Sequence, residues 1–250
     1  MTASGDGGGT AERPGELRRA GGDAMVAEGV ALVEAAQAGD ATLRLLGGAA
    51  VIVHGSGVAH REIGDLDGVT GRRDVKRLTA ALVERGYEPE VRFNALHGDR
   101  RLIFHGPAGK LDVFVDRFEM CHRLDLAPRL ALDSPTIPVS DLLVTKLQVV
   151  ELNEKDARDL GELLRYHDVG TGPGDHFDGD YLGDLVGDDW GLWRTMTGTL
   201  ERLPELIPDV ATRAATVRSI LDDAPKGRRW RMRAKVGDRK RWYELPDDLE

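Results

Sequence analysis

Residues 43–54 read Leu-Arg-Leu-Leu-Gly-Gly-Ala-Ala-Val-Ile-Val-His, and this stretch decides the fold. The apolar residues before the two glycines predict a short buried strand, and those after them predict a helix. Gly47 and Gly48 predict a tight turn between the two elements, because glycine adopts backbone conformations that other residues avoid and lets another group approach its amides. A strand, a turn and a helix packed closely on that strand indicate an α/β fold.

Acidic residues mark the strands predicted further along the chain. Residues 62–69 fit a short strand that carries Asp65 and Asp67, and residues 111–115 fit an inner strand that carries Asp112. Side chains at i and i+2 of a strand share a face, where two carboxylates repel each other unless a cation lies between them. Asp112 stands between strong apolar flanks, and a buried carboxylate needs a partner or a metal. The pattern therefore predicts a site for a hard divalent cation such as Mg²⁺.

The remaining sequence extends this core into a mainly helical second half. An amphipathic helix is predicted from Val75 to Gly86, and two strands joined by a turn at residues 106–109 follow it. After Pro138 the apolar spacing is helical, and alternation near the C-terminus predicts a β-hairpin. The fold class is therefore α/β, with a small mixed sheet flanked by helices, a helical lobe and a C-terminal hairpin. We divide the chain into a disordered tail, a core, a helical lobe and a basic extension, with the boundaries 1–24, 25–138, 139–223 and 224–250.

Composition excludes several classes of protein. Lys and Arg number 34 against 43 for Asp and Glu, and the net charge of −9 argues against a protein that coats nucleic acid through bulk charge. Apolar runs are far shorter than the roughly 20 residues of a membrane helix, so no membrane partner is expected. The N-terminus has no apolar core of the signal-peptide type. Cys121 is the single cysteine and cannot form an internal disulfide, which favours a cytoplasmic setting.

Four motifs follow one another in the first half of the chain. They are Leu46-Gly47-Gly48, Arg61, Asp65-Leu66-Asp67 and Leu111-Asp112-Val113. In this order they resemble the nucleotidyltransferase superfold with the DNA polymerase β type of active site. More narrowly, the chain is similar to the AbiEii and MenT-like toxin branch, which carries a glycine pair, then an arginine, then Asp-Leu-Asp. The resemblance covers residues 42–164, including a later helical motif around Lys146.

The resemblance implies a metal-dependent reaction. Asp65, Asp67 and Asp112 would hold two Mg²⁺ ions, or one ion plus substrate, and Mn²⁺ could take the place of Mg²⁺. The chemistry would be in-line transfer of a nucleoside monophosphate from an NTP, such as ATP, to an acceptor, with pyrophosphate leaving. Asp112, nearest the attacking group in such sites, would be the candidate general base.

The resemblance also implies how the nucleotide is bound. Gly47 and Gly48 would bring backbone amides and a helix N-terminus to the triphosphate. Lys146 would contact the triphosphate from the helical lobe. Arg61 is either a further phosphate contact or an exposed surface arginine.

Several alternatives remain open at this stage. If the register of the inner strand differs, Asp116 replaces Asp112 as the third acid. Asp156 and Asp159 either position a lysine or face solvent. The scattered histidines show no pair at helical ligand spacing, so no zinc site is predicted.

The acceptor and the partners are not specified by the sequence. An RNA 3′ end, a protein hydroxyl and a small molecule all suit the same metal pair, and a toxin role would require an antitoxin partner. Nine basic residues lie in the segment from Lys226 to Arg241, accompanied by Trp230 and Trp242. This segment either binds RNA or docks on the acidic body of the protein. The second hypothesis for the whole protein is a non-catalytic RNA- or partner-binding module on the same scaffold.

Overall fold

A five-stranded mixed sheet forms the centre of the first half of the chain. The computed structural model describes residues 14–56 and 62–245, with side chains from residue 22 onward. The strands of the sheet are β1 (Arg44–Leu45), β2 (Leu66–Thr70), β3 (Glu88–Pro89), β4 (Arg101–Gly106) and β5 (Gly109–Val115). They lie in the order β1-β2-β5-β4-β3, and β2 is parallel to β5 whereas the other neighbouring pairs are antiparallel.

One face of this sheet is apolar and packs against helices. The helices of the core are α1 (Pro14–Ala38), α2 (Gly47–His54), α3 (Val75–Glu84) and α4 (Val91–His97). Leu66 and Leu111 are buried, and Leu66 lies against Gly29 of α1. Because side chains alternate along a strand, the neighbouring Asp67 and Asp112 point to the opposite face. The alternation thus separates a packed face from a polar face on the same two strands.

The second half of the chain is mainly helical. Its elements are β6 (Arg117–Glu119), β7 (Arg123–Asp125), α5 (Val139–Leu147), α6 (Glu154–Tyr166), β8 (Val169–Gly170), β9 (Phe177–Asp178), α7 (Gly179–Gly187), α8 (Trp190–Leu206), α9 (Ala211–Asp223) and α10 (Arg228–Ala234). One hydrophobic cluster runs through both halves, from Leu32 of α1 to Leu221 of α9. None of the helices in the described part of the chain combines the length and the apolarity needed to cross a membrane.

The predicted fold class is confirmed for the core and the helical lobe. The strand, glycine turn and helix of residues 43–54 are β1 and α2, and the turn at residues 106–109 joins β4 to β5. The helix that follows Val75 ends two residues before Gly86, which has a φ of +82°. Each of these elements was indicated by local spacing and by a glycine or a turn at its end.

The predicted C-terminal β-hairpin is wrong, because the basic segment forms α10 followed by a 3-10 turn at Gly237–Arg239. Lys226, Trp230 and Arg233 recur at helical spacing, and all three contact tryptophan rings. The Trp230 ring lies 5.1 Å from that of Trp193, and the Arg233 guanidinium lies 4.5 Å from the centre of the Trp190 ring. Packing of this stripe on α8 therefore overrides the alternation that favoured strands.

Part of the segment predicted to be a disordered tail, residues 1–24, belongs to helix α1. Helix α1 already begins at Pro14, and residues 1–13 lie outside the described part of the chain. Leu32, Val33 and Ala36 anchor the helix in the core. Extension of an anchored helix costs less free energy than nucleation of a new one, which accounts for helical structure upstream of the first apolar residues.

Candidate active site

Asp67 and Asp112 lie side by side on the polar face of the sheet. They are register partners in the parallel pair of β2 and β5, where neighbouring strands are about 4.8 Å apart. Burial raises the pKa of Asp67 to about 6, and repulsion from the Asp112 and Asp65 carboxylates adds to the rise. A carboxyl group whose charge is opposed by its neighbours favours a bound cation.

The Asp67 carboxylate also lies against the N-terminus of α2. Gly47, the first residue of that helix, has a φ of +59°, and a Cβ placed on it would lie 2.1 Å from Oδ2 of Asp67. The backbone N–H of Leu46 donates to the Asp67 carbonyl oxygen at 2.8 Å. Leu46 has no polar atom with which to cap the helix, so the amides of the first turn, including that of Gly48, are not capped by it. Such a helix end attracts anions.

Asp112 is neutralised by two cationic side chains. Lys110 Nζ lies 2.8 Å from Oδ2, and Arg101 Nη2 lies 2.9 Å from Oδ1, so both carboxylate oxygens are engaged. The requirement for a partner at this buried position is met by Lys110, two residues earlier on the same strand, and by Arg101 on β4. The alternation Lys110-Leu111-Asp112 was present in the sequence, but the contribution of β4 depends on strand pairing. A metal ion at Asp112 would therefore compete with these cations.

Asp65 stands apart from the other two acids. It is exposed and precedes β2 by one residue. Within the described residues, only His54, His167 and Asp175 bring three ligand-type atoms within 4.8 Å of one another. The three aspartates do not form such a group, although Asp65 still acts on the pKa of Asp67.

Lys146 approaches the aspartates from the helical lobe. Its charge lowers the pKa of Asp67, against the larger effect of burial. Lys146 Nζ lies 2.8 Å from Oδ2 of Asp159 and 3.8 Å from Oδ1 of Asp156. Of the two interpretations of Asp156 and Asp159, the one in which they position a lysine is therefore confirmed. Lys155 of α6 also acts on Asp67, and its role was not evident in the sequence because it depends on how α6 packs.

The helix that carries Lys146 is fixed by a buried ion pair. Both carboxylate oxygens of Asp141, in the first turn of α5, lie 2.7 Å from Nε of Arg129. The Tyr181 hydroxyl donates to the same carboxylate at 2.6 Å, and the Arg129 guanidinium lies 3.5 Å from the centre of the Tyr181 ring. Burial raises the pKa of Asp141, and the contacts with Tyr181 and Arg129 oppose that rise. The cluster joins α5 to the turn at Arg129 and to Tyr181 of α7.

Arg61 and Asp116 are the other two candidate site residues. Arg61 lies outside the described residues. Asp116 accepts hydrogen bonds from the backbone N–H of Arg72 at 2.8 Å and from its Nε at 3.2 Å. Because Asp112, and not Asp116, is the register partner of Asp67, Asp112 is the third acid at the sheet.

The donor set fits a hard divalent cation. Asp65, Asp67 and Asp112 offer carboxylate oxygens, the ligands that Mg²⁺ prefers, and no softer ligand is among the three. Burial is the main cause of the raised pKa of Asp67, and repulsion from the Asp112 and Asp65 carboxylates adds to it; a bound cation would offset both effects.

Comparisons with known proteins find structural similarity at low sequence identity. No protein-family model matches the chain, and no curated protein matches it. Its structure is similar to that of an antigenic nucleotidyltransferase-like protein from Paracoccidioides brasiliensis, with 16% identity, a TM-score of 0.42, and coverage of 82% of this chain and 95% of that chain. It is also similar to JHP933 from Helicobacter pylori, with 14% identity, a TM-score of 0.39, and coverage of 86% and 98%. Likenesses this distant do not identify an activity.

Proposed function

We propose that this protein is a Mg²⁺-dependent nucleotidyltransferase, which moves a nucleoside monophosphate from an NTP to an acceptor. The observation that carries the proposal is the register pairing of Asp67 with Asp112 beside the N-terminus of α2. Two carboxylates on neighbouring strands suit a divalent cation, and the helix end suits the phosphates that the cation would accompany.

Each group of residues has a role in the proposed reaction. The amides of Gly47 and Gly48 bind the triphosphate, and Lys146 and Lys155 neutralise its charge. Asp65, Asp67 and Asp112 would hold Mg²⁺, or Mn²⁺ in its place, which when bound supplies charge neutralisation at the transferred phosphate and the leaving group. An acceptor hydroxyl oxygen attacks the α-phosphorus, and the bond from that phosphorus to the oxygen bridging to the β-phosphorus breaks, so that pyrophosphate leaves. Asp112 accepts the hydroxyl proton once Lys110 has moved from it.

The finer assignments rest on the resemblance of the motifs. We propose ATP as one candidate donor, and an RNA 3′ end, a protein hydroxyl or a small molecule as the acceptor. From the resemblance to the AbiEii and MenT-like branch, we also propose that the protein acts as a toxin in the cytoplasm and that an antitoxin partner inhibits it. Acceptor choice depends on the shape of the pocket around the site and not on the metal ligands.

Transfer is tested directly with radiolabelled nucleotides. The purified protein is incubated with Mg²⁺, cell extract and each of the four NTPs labelled on the α-phosphate. We expect one or more RNA or protein bands, or a small-molecule product, to become labelled, and labelling to cease when EDTA is added. Absence of labelled product with all four NTPs would contradict the proposal and favour the binding module.

Substitutions of Lys146 and Lys155 are expected to differ in their effects on NTP binding and on stability. Lys155 is exposed, so Lys155→Gln should weaken NTP binding about tenfold and change the free energy of unfolding far less than Lys146→Met does. Lys146→Met removes the lysine that neutralises the buried Asp159, and should lower the free energy of unfolding by about 3 kcal/mol as well as weaken NTP binding. Calorimetric titration with a non-hydrolysable NTP and urea unfolding measure the two effects. Equal affinities for NTP in wild type and Lys155→Gln would show that Lys155 does not reach the nucleotide.

A second candidate function is RNA binding by the basic C-terminal segment. Arg228, Arg229 and Arg231 of α10 are exposed. The tryptophans of this region pack against one another, with Trp230 on Trp193 and Trp242 on Trp190. We therefore propose contacts to RNA phosphates through the arginines, without stacking of bases on the tryptophan rings.

The triple substitution Arg228→Gln, Arg229→Gln and Arg231→Gln tests this surface. We expect RNA affinity to fall at least about tenfold at low salt, and the slope of log affinity against log salt to become shallower by about 2. Filter binding at several salt concentrations measures both quantities. Asp67→Ala serves as the comparison: if RNA affinity survives Asp67→Ala and labelling never occurs, the non-catalytic module is favoured. An unchanged salt slope in the triple variant would exclude α10 as the RNA contact.

A further inference from the structure

Two histidines and an aspartate lie close together at the end of α2 opposite Gly47. His54 is the last residue of α2, His167 follows the C-terminus of α6, and Asp175 lies in the loop before β9. A ligand-type atom of each lies within 4.8 Å of those of the other two. The His54 and His167 rings meet edge to face with their centres 5.7 Å apart. More than a hundred residues separate the two histidines in sequence, which is why no histidine pair was evident there.

Hydrogen bonds to the backbone orient the His167 ring. Its Nε2 lies 2.7 Å from the carbonyl oxygen of His54, so Nε2 carries the proton and donates it. Nδ1 faces Asp175, 3.2 Å from Oδ1 and 3.4 Å from the carbonyl oxygen. Both oxygens are acceptors, so a proton on Nδ1 joins the pair in the metal-free protein, and a metal ion would take the place of that proton. An imidazole that donates through one nitrogen to a backbone carbonyl and presents the other nitrogen is the usual arrangement of a histidine metal ligand.

The His54 ring is fixed in a similar way. Its Nε2 lies 3.0 Å from the carbonyl oxygen of Ile137 and 2.7 Å from the Thr136 hydroxyl. The carbonyl partner requires the proton on Nε2, which leaves the lone pair of the ring on Nδ1. The neutral ring is the form that binds a metal ion.

We propose that His54, His167 and Asp175 form a binding site for a transition-metal dication, with Zn²⁺ as the best-fitting ion. Two imidazole nitrogens and one carboxylate oxygen suit Zn²⁺, whereas Mg²⁺ and Ca²⁺ prefer oxygen ligands only. Ligand distances of about 2.1 Å require the three ligand atoms to lie about 3.4 Å apart. Nδ1 of His167 and Oδ1 of Asp175 already lie 3.2 Å apart, so the remaining approach is between this pair and His54. The Asp175 side chain is 88% exposed and follows Gly172 and Gly174 in the loop, which lets it follow that approach. Water completes the coordination.

The ion would join three separate segments of the chain. It would link the C-terminal end of α2, the C-terminal end of α6 and the loop before β9. The segment that follows α2 already contacts α6, since Glu162 of α6 accepts a hydrogen bond from the backbone N–H of Ser56 at 2.9 Å. The site therefore serves to clamp α2, whose opposite end abuts Asp67, against the helical lobe. It is separate from the proposed Mg²⁺ site and does not depend on the proposed activity.

The test uses the full-length protein, stripped with a chelator and titrated with Zn²⁺ in a calorimeter. Excess Mg²⁺ in the buffer occupies the carboxylate site. We expect one equivalent of Zn²⁺ to bind and the melting temperature to rise, and Co²⁺ in place of Zn²⁺ to show the strong visible absorption of a four-coordinate ion. Asp175→Asn should weaken Zn²⁺ binding at least about tenfold. This variant alters an exposed side chain and is expected to fold. His167→Gln, checked for folding by circular dichroism, should remove binding.

Two controls separate this site from other sources of Zn²⁺ binding. Asp180→Asn changes an exposed aspartate in the first turn of α7 and should leave Zn²⁺ affinity unchanged. Asp67→Asn should also leave it unchanged, so that loss of the proposed activity and loss of this site remain distinguishable. Failure of the wild type to bind Zn²⁺ in the presence of Mg²⁺ would overturn the proposal. So would wild-type affinity in both Asp175→Asn and His167→Gln, because the ion would then be bound elsewhere.

Discussion

We expect Asp67→Asn to abolish nucleotidyl transfer and, at the same time, to stabilise the metal-free protein. The loss of activity should be about a thousandfold or more, because a neutral amide cannot replace a carboxylate that holds the cation beside the triphosphate. Transfer of label from α-labelled NTP measures this effect. The gain in stability follows from the same carboxylate, which burial and its neighbours make costly to ionise.

The stability effect of Asp67→Asn has a definite dependence on pH. The pKa of Asp67 is raised from 3.8 in the unfolded chain to about 6 in the folded protein, so the folded protein holds the proton more tightly. Ionisation therefore reduces stability as the pH rises from about 4 to 6, and the loss is complete above that range. At neutral pH the variant should gain about 1–3 kcal/mol, since solvent screens part of the charge. The gain should vanish near pH 4.

Urea unfolding in EDTA at pH 4 and pH 7 measures this difference. Asp184→Asn, which changes an exposed aspartate of α7, is the matched control and should alter neither stability nor transfer. A destabilised Asp67→Asn protein at pH 7 would show that the carboxylate is a structural partner and not a charge held for a cation. Retained transfer in the variant would remove Asp67 from the catalytic site.

Gly47→Ala is expected to cause the second-largest effect. Its φ of +59° costs an alanine about 1–2 kcal/mol, and the added methyl group would lie 2.1 Å from Oδ2 of Asp67. The carboxylate must therefore move away from the N-terminus of α2. We expect the free energy of unfolding to fall by about 2 kcal/mol or more, and transfer to fall about a hundredfold, because an ångström of displacement at a catalytic group has that effect.

Gly71→Ala is the control for this substitution. Gly71 follows β2, has a φ of −79°, and has no atom within 4 Å of the position that a Cβ would take. The control should leave transfer unchanged and should not destabilise the protein. Comparable losses in the two variants, measured by urea unfolding and labelling, would mean that the effect at Gly47 reflects helix or strand propensity in general. Full activity in Gly47→Ala would contradict the close contact with Asp67.

Local signals were sufficient to predict much of the fold. The strand, turn and helix of residues 43–54 depend on apolar spacing and on the glycine pair, which act within a few residues of each other. The partnership of Asp67 and Asp112 is different, because two registers of the inner strand were consistent with the sequence. Only the pairing of β2 with β5 selects Asp112 over Asp116.

Contacts between distant segments account for what the sequence did not predict. The cations that engage Asp112 include Arg101 from another strand, and the histidine cluster joins the ends of two helices. The C-terminal helix shows a related difficulty, since Lys226, Trp230 and Arg233 had helical spacing while their neighbours alternated. The tryptophans of α8 stabilise the helical arrangement, and that information lies more than thirty residues upstream.

The tryptophan cluster has a spectroscopic consequence. The chain has four tryptophans, and they form one row in which Trp230, Trp193, Trp190 and Trp242 are successive neighbours with ring centres 5.1, 6.4 and 5.6 Å apart. Intrinsic tryptophan fluorescence therefore reports on α8 and the C-terminal segment, because no tryptophan lies in the sheet. Loosening of the sheet around Gly47 or Asp67 would leave this emission unchanged until α8 itself unfolds. Far-ultraviolet circular dichroism monitors both halves, and a difference between the two unfolding curves would measure how tightly the halves are coupled.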